Sequence, residues 1–143
     1  MLAPLGLLPG KGVDTETMRR TLHAVLERWD FEAKIWGWDY SMIAMTAARL
    51  GESEIAVDIL LRNGPNNSYL NNGHCPQRSD VVRRPGEGPG RNEIPAYLPA
   101  NGALLAAVAM MAAGWDGAPA NRPAPGFPRD GWKVRHEGLR PLP

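Results

Sequence analysis

The side chains best suited to chemistry lie between residues 32 and 40. The run from Trp36 to Tyr40 holds two indoles, a phenol and a carboxylate, and a second carboxylate precedes it. Flat aromatic faces stack on the C–H face of a pyranose, and carboxylates accept hydrogen bonds from sugar hydroxyls or transfer protons. This composition is typical of a sugar-binding site. The candidate binding residues are Trp36, Trp38 and Tyr40, and the candidate catalytic residues are Asp39 and Glu32.

The same aromatic residues have a purely structural interpretation. Tryptophan is highly buried on average, so the two indoles could simply pack against neighbours where a helix begins. His23 has a similar interpretation, because it lies beside the apolar stripe of a helix with no partner near it in sequence. We therefore expect His23 to be a helix-surface histidine, and the local sequence leaves both interpretations of the indoles open.

Residues 71–78 concentrate amides, an imidazole and a guanidinium, which are further candidates for ligand binding. Such groups bind hydroxyls or an anion. His74 and Cys75 could be metal ligands, but adjacent ligands without a second pair at the usual spacing are weak evidence, so we expect no metal and no other cofactor. The binding candidates from this part of the chain are Asn72, His74, Gln77, Arg78, Tyr97 and Asn101.

The composition excludes several classes of protein. A chain of 143 residues with 43% hydrophobic residues and a mean hydropathy of -0.32 fits one soluble globular domain. A net charge of +1 gives no long-range field toward nucleic acid or an acidic membrane. The apolar run 103–113 is shorter than the roughly 20 residues of a membrane-spanning helix. Residues 1–10 lack the basic start of a secretory signal, and the lone Cys75 excludes an internal disulfide, leaving the compartment open.

Glycine and proline predict where the helices lie. They crowd into 1–12, 64–100 and 117–143 and leave the segments between them nearly free. The predicted class is therefore all-α, with long Pro/Gly-rich loops and a short extended C-terminal tail. Within the long loop, the basic and Gly/Pro-rich stretch 79–92 indicates a mobile excursion. The only strand candidate, Trp132–His136, would lack partners.

Four helices are expected. The first, about 15–29, is amphipathic and has Asp14 as its N-cap, and the second, about 40–50, is apolar on all sides and should be an inner helix. Gly51 supplies the C′ position before a third helix, which begins at Glu52 and Ser53 and has one apolar face up to Gly64. The fourth, Ala103–Trp115, is N-capped by Asn101 and should be a second inner helix. Such a hairpin also fits a helical-repeat scaffold and by itself names no function.

Five segments in this order resemble the C-terminal part of the six-hairpin glycosidases, (α/α)6-barrel glycoside hydrolases and phosphorylases that include the α-L-fucosidase type. The resemblance spans roughly Leu7 onward. Ala100 stands where fucosidase-type members carry an acidic residue, which speaks against the fucosidase mechanism in particular. The segments are Trp36–Tyr40, Ala44–Gly51, Asn72–His74, Tyr97–Met111 and Glu137–Pro143.

The resemblance implies that residues 14–117 form part of an (α/α)6 toroid, between an extended lead-in, 1–13, and the Pro-rich tail, 118–143. It implies an inverting glycosidase whose site lies where the inner helices begin, with acid and base about 6.5–9.5 Å apart. The general acid is expected upstream of residue 1. The implied partners are an oligosaccharide or glycoside, and either the missing upstream barrel or a second copy through exposed inner helices. The alternative is a non-catalytic helical-hairpin module that binds a carbohydrate or a protein.

Overall fold

The computed structural model describes residues 2–32, 35–78 and 94–143, and the regular secondary structure within these ranges is entirely helical. The predicted all-α class is confirmed. Trp132–His136 forms no strand, and the described ranges contain only isolated bridges, Gln77 with Ile94 and Trp115 with Leu142. The predicted excursion 79–92 lies outside the described residues. The helices are α1 (Thr15–Arg28), α2 (Gly37–Arg49), α3 (Ser53–Leu61) and α4 (Leu98–Ala113).

Helix α1 forms as its sequence predicts. The Asp14 carboxylate accepts a hydrogen bond from the Thr17 N–H at 2.8 Å, which caps the first turn. The apolar stripe of Met18, Leu22 and Val25 is buried. The helix ends at Arg28, and Trp29, which the periodicity places on the stripe, is the C-cap and remains 39% exposed.

Helix α2 begins three residues earlier than predicted, because Asp39 caps it from inside the aromatic run. The Asp39 Oδ2 atom accepts a hydrogen bond from the Trp36 N–H at 2.9 Å, and the Asp39 N–H donates to the Trp36 carbonyl at 3.0 Å. The run from Gly37 to Tyr40 is therefore the first turn of the helix, and the prediction that it is a connection is wrong. Residues 41–48 are all buried, so α2 is the inner helix that the sequence predicts.

Helix α2 is covered on several sides. Helices α3 and α4 pack along it, and α1 contacts it less extensively. The lead-in also packs on it, since the Thr46 hydroxyl lies 3.3 Å from the Leu2 carbonyl and the Arg49 Nε donates to the Gly6 carbonyl at 3.3 Å. The chain end packs nearby, with an Arg49 Nη2 hydrogen bond of 2.7 Å to the Pro143 carbonyl.

Helix α3 follows a tight turn. Gly51 has φ +80°, a left-handed conformation that favours glycine at a helix C-terminus, as predicted. Only one face of α3 is buried, and its start is tied to α1 because Glu52 contacts both Arg19 and His23. His23 is exposed, as expected of a surface histidine, with its Nε2 atom 2.9 Å from Glu52.

Helix α4 differs from the prediction in two ways. It begins at Leu98, with Pro99 in the first turn where proline is favoured, so Asn101 lies inside the helix and is not its N-cap. It is also buried on one side only: Met110 and Met111 are fully buried, while Leu105 is 72% exposed. The prediction that α4 is buried all round is wrong for the described part of the chain. None of the helices in that part is long and apolar enough to cross a bilayer.

Candidate functional site

A cleft of about 340 Å³ lies where α1 ends and α2 begins. It brings the Asp39 carboxylate, from the first turn of α2, together with the Trp29 indole, from the C-cap of α1. Asp39 is a predicted catalytic residue. Trp29 was missed because its spacing fits the apolar stripe of α1, and the signal that could have found it is its position one residue beyond the helix. The lining residues are Arg28, Trp29, Asp30, Ile35 and Asp39.

The environment of Asp39 suits a carboxyl group that exchanges protons or binds hydroxyls. The residue is 7% exposed, and one oxygen is held by the Trp36 N–H. Burial raises the pKa of the Asp39 carboxyl above its ordinary value, and the hydrogen bond from Trp36 opposes that shift. A raised pKa at a cleft is a common property of functional carboxyl groups.

The raised pKa predicts a pH dependence of stability. In the folded chain Asp39 binds its proton more tightly than in the unfolded chain, so its contribution to the free energy of unfolding is least favourable above its folded-state pKa. That contribution becomes more favourable as the pH falls through the folded-state pKa toward the unfolded value. We expect the difference in free energy of unfolding between the native chain and Asp39→Asn to shift in favour of the native chain as the pH is lowered from 7 to about 4.

Urea unfolding of both chains across that pH range measures this difference. Asp14→Asn is the matched control, because hydrogen bonds from Thr17 lower the pKa of the exposed Asp14 and the sign is opposite: its stabilising effect is present above the unfolded pKa and lost as the pH falls through the lower folded pKa. A difference for Asp39→Asn that does not change with pH would contradict the assignment.

Three predicted binding residues meet beside the first turn of α2. The rings of Trp36 and Tyr97 pack with their centroids 5.6 Å apart and their planes at 39°. Beneath this region the fully buried Gln77 accepts a hydrogen bond from the Gly37 N–H at 2.9 Å through its Oε1 atom. Burial, followed by the negative charge of Asp39, raises the pKa of the Tyr97 hydroxyl. Trp36 and Tyr97 can present ring surface, while Gln77 positions the backbone from below.

Two other residues of the aromatic run pack inward. Tyr40 is fully buried; its hydroxyl donates to the Phe31 carbonyl at 3.2 Å, and burial raises its pKa to about 12. Trp38 is half-buried and packs against the same hydrophobic core. Tyr40 is therefore a core residue, and only part of the Trp38 indole is at the surface.

Glu32 lines a different cavity from Asp39. It lines a polar depression of about 470 Å³ together with Arg78, which is also a predicted binding residue. The Arg78 N–H donates to the Asn66 side-chain oxygen at 2.8 Å, so Asn66 fixes this wall of the depression. The two candidate catalytic carboxylates thus line different cavities. The other lining residues are Asn63, Gly64, Pro65, Ser68, Leu70 and Pro76.

The remaining candidates organise the loop before α4. The Asn72 side chain accepts a hydrogen bond from the His74 N–H at 3.0 Å in an exposed turn. Asn101 accepts from the Cys75 N–H at 3.2 Å and donates to the Gly73 carbonyl at 2.6 Å, so it joins α4 to this turn. Burial raises the pKa of the Cys75 thiol. Within the described ranges no three His, Cys, Asp or Glu side chains are grouped as metal ligands would be.

Asn66 is a structural residue that the sequence reasoning missed. It is almost fully buried, and its amide donates to the Ile35 carbonyl at 2.9 Å. Its own carbonyl accepts from the Cys75 thiol at 3.4 Å. Asn66 therefore holds the segment before α2 against the loop that carries Cys75 and Gln77.

Comparison with protein-family models, with curated proteins and with solved structures gave no match.

Proposed function

We propose that this chain is the C-terminal part of a six-hairpin glycoside hydrolase and that the cleft at the start of α2 binds a sugar. The observation that carries the proposal is the shared cleft of Trp29 and Asp39. An exposed indole beside a desolvated carboxyl offers a face for the C–H groups of a pyranose and an acceptor for its hydroxyls. The position, where a buried helix begins, agrees with the location implied by the resemblance.

The toroidal arrangement is part of the proposal and is supported by the apolar surfaces of α3 and α4. Leu61 of α3 is 69% exposed, and Leu98, Leu105 and Val108 of α4 are also exposed. Contiguous exposed apolar surface on a folded chain commonly marks a surface that another element covers. In a six-hairpin barrel those elements would be neighbouring hairpins, which would also complete the catalytic machinery around Asp39.

A second candidate function is a non-catalytic module that binds carbohydrate. It is favoured by the placement of the two candidate carboxylates, because Glu32 lines the depression with Arg78 while Asp39 lines the cleft with Trp29. The Asp39 Oδ2 atom is also engaged by the helix cap. A cleft with one carboxyl group and an indole can bind a sugar without cleaving it.

Binding of a panel of neutral oligosaccharides and aryl glycosides, measured by calorimetry, tests the proposal. For a sugar that binds the native chain, we expect Trp29→Ala to weaken affinity by about tenfold, because it removes the stacking face. Leu105→Ala is the matched control: it removes a large apolar side chain that is 72% exposed and is not among the residues that line the cleft. The control variant should bind the sugar with the affinity of the native chain.

The same panel separates the two functions. Release of the aglycone from an aryl glycoside that Asp39→Asn abolishes would support the hydrolase, whereas binding without turnover by the native chain would support the binding module. Absence of binding to every sugar, or an equal loss of affinity in Trp29→Ala and Leu105→Ala, would overturn the assignment of the cleft.

A further inference from the structure

The tail after α4 lines a further pocket, of about 420 Å³, that is separate from the α2 cleft. The tail is held in place by main-chain hydrogen bonds, among them Gly126 N–H to the Met111 carbonyl at 3.0 Å and Phe127 N–H to the Ala124 carbonyl at 3.0 Å. Its walls combine cationic, amide, aromatic and apolar groups. Its lining includes Asn121, Arg122, Phe127, Arg129, Trp132 and Lys133.

Of the residues that the structure describes, three cations, Arg122, Arg129 and Lys133, line this pocket and no carboxylate does. Arg122 is fixed: its Nη2 atom donates to the Ser53 hydroxyl and to the Phe127 carbonyl, each at 2.9 Å. A guanidinium has five N–H donors in a planar fork, so those on its other nitrogens remain available to a ligand. Arg129 and Lys133 are exposed and form no ion pair with any carboxylate of the described ranges.

An aromatic surface stands beside the cations. The rings of Phe127 and Trp132 pack with centroids 5.4 Å apart and planes at 45°, and Trp132 remains 43% exposed. The pair fixes the orientation of the indole without covering it. The pocket therefore offers an indole face and three positive charges within one concave surface, a combination suited to a ligand with a flat or puckered ring and a negative group.

We infer that this tail pocket binds a small anion borne on a ring, in which a carboxylate or phosphate contacts Arg122, Arg129 and Lys133 while the ring lies against Trp132. The ring could belong to an acidic sugar or to an aryl acid, since the indole face accepts either. Two of the cations are exposed, so the attraction is screened by salt. The inference is independent of the proposed function, because none of the residues that line the α2 cleft lines this pocket.

Nuclear magnetic resonance of the full chain tests the inference through the indole N–H signal of Trp132, which Trp132→Phe assigns among the five tryptophans. The probes are glucuronate and glucose 6-phosphate for an acidic sugar, phenyl phosphate for an aryl acid, glucose for a ring without charge, and inorganic phosphate for charge without a ring. At least one ring-bearing anion should shift the Trp132 signal at concentrations where glucose does not. Inorganic phosphate should bind more weakly than that anion.

Substitutions separate specific binding from general attraction of anions. Lys133→Gln and Arg129→Gln should each lower the affinity for the ring-bearing anion by about threefold to fivefold at low salt, which is the range expected of one exposed charge contact. The matched controls are Arg135→Gln and Arg140→Gln, which remove positive charges of the tail that do not line the pocket. They should leave the affinity for the ring-bearing anion unchanged. Equal effects of all four variants, equal shifts with glucose and the charged rings, or no shift with any probe would each overturn the inference.

Discussion

Replacing Gly37 with alanine is expected to destabilise the chain by about 3 kcal/mol, at the upper end of the cost of overpacking a well-packed interior. A Cβ atom at Gly37 would lie 2.7 Å from the Asn66 carbonyl oxygen and 2.8 Å from the Ala100 Cβ atom. Neither neighbour can rotate away, because one is main chain and the other is attached directly to it. The first turn of α2 would have to move, and the hydrogen bond from the Gly37 N–H to Gln77 would lengthen. Urea unfolding measures the change.

Gly102→Ala is the matched control for Gly37→Ala, since both glycines lie near the start of a helix. Gly102 is exposed in α4, and a Cβ atom there would have no neighbour within 4 Å among the described residues. Alanine loses less backbone entropy than glycine in a helix, so Gly102→Ala should stabilise the chain by about 0.5–1 kcal/mol. A similar sign and size for the two substitutions would show that the close approach of α2 to Asn66 does not constrain the chain.

The Gly37 substitution also connects stability to the candidate site. Asp39 lies two residues after Gly37 in the same turn, and its carboxylate holds the Trp36 N–H. A displaced first turn would change the direction of that carboxylate within the cleft that it shares with Trp29. If the cleft binds a sugar as proposed, we therefore expect Gly37→Ala to weaken that binding even at a temperature where the variant remains folded.

Sequence reasoning succeeded where the determining interactions are local. Helix α1 was predicted with nearly its observed bounds because its cap, Asp14, and its apolar stripe lie within the helix sequence or next to it. The turn at Gly51 followed from the same kind of local signal. The predicted start of α2 was wrong because Asp39 was interpreted only as a catalytic or binding group. Asp39 lies three residues after Trp36, so its carboxylate can also cap the helix by accepting the Trp36 N–H.

Helix α4 shows where local reasoning fails. Its residues are small and apolar on every side, so the sequence does not indicate which face is buried. The structure buries Met110 and Met111, where α2 and the tail at Gly126 pack on α4, and leaves Leu105 exposed. The role of Asn101 could not be predicted from its neighbours either, since its partners are Gly73 and Cys75, more than 25 residues earlier in the chain.

The candidate site was only partly predictable for the same reason. The aromatic and acidic composition of residues 32–40 led to Asp39, but its position in a different cavity from Glu32 and in the same cleft as Trp29 depends on how α1 meets α2. Gln77 was predicted as a ligand-binding amide and lies fully buried, with its Oε1 atom on the Gly37 N–H. A buried side-chain amide that supports a backbone has the same sequence signature as one that binds a hydroxyl.

The second large effect is expected from Asn66→Ala, which should destabilise the chain by about 2–4 kcal/mol through loss of two hydrogen bonds, one of them wholly buried. The Asn66 amide donates to the Ile35 carbonyl at 2.9 Å in the interior, away from bulk water. Its oxygen accepts from the Arg78 N–H at 2.8 Å at a partly exposed position, where water can replace the lost acceptor. Most of the loss should therefore come from the Ile35 carbonyl.

Two further variants locate that loss. Asn63→Ala, in the same loop but at an exposed position, is the matched control and should change the free energy of unfolding by less than about 0.5 kcal/mol. Asn66→Asp keeps an acceptor for Arg78 but removes the donor to Ile35 and buries a charge, so it should be at least as destabilising as Asn66→Ala. A mild effect of Asn66→Asp would instead mean that the contact with Arg78 dominates. In that case Asn66 would stabilise chiefly the depression that contains Glu32, and not the segment that leads from Ile35 into the first turn of α2.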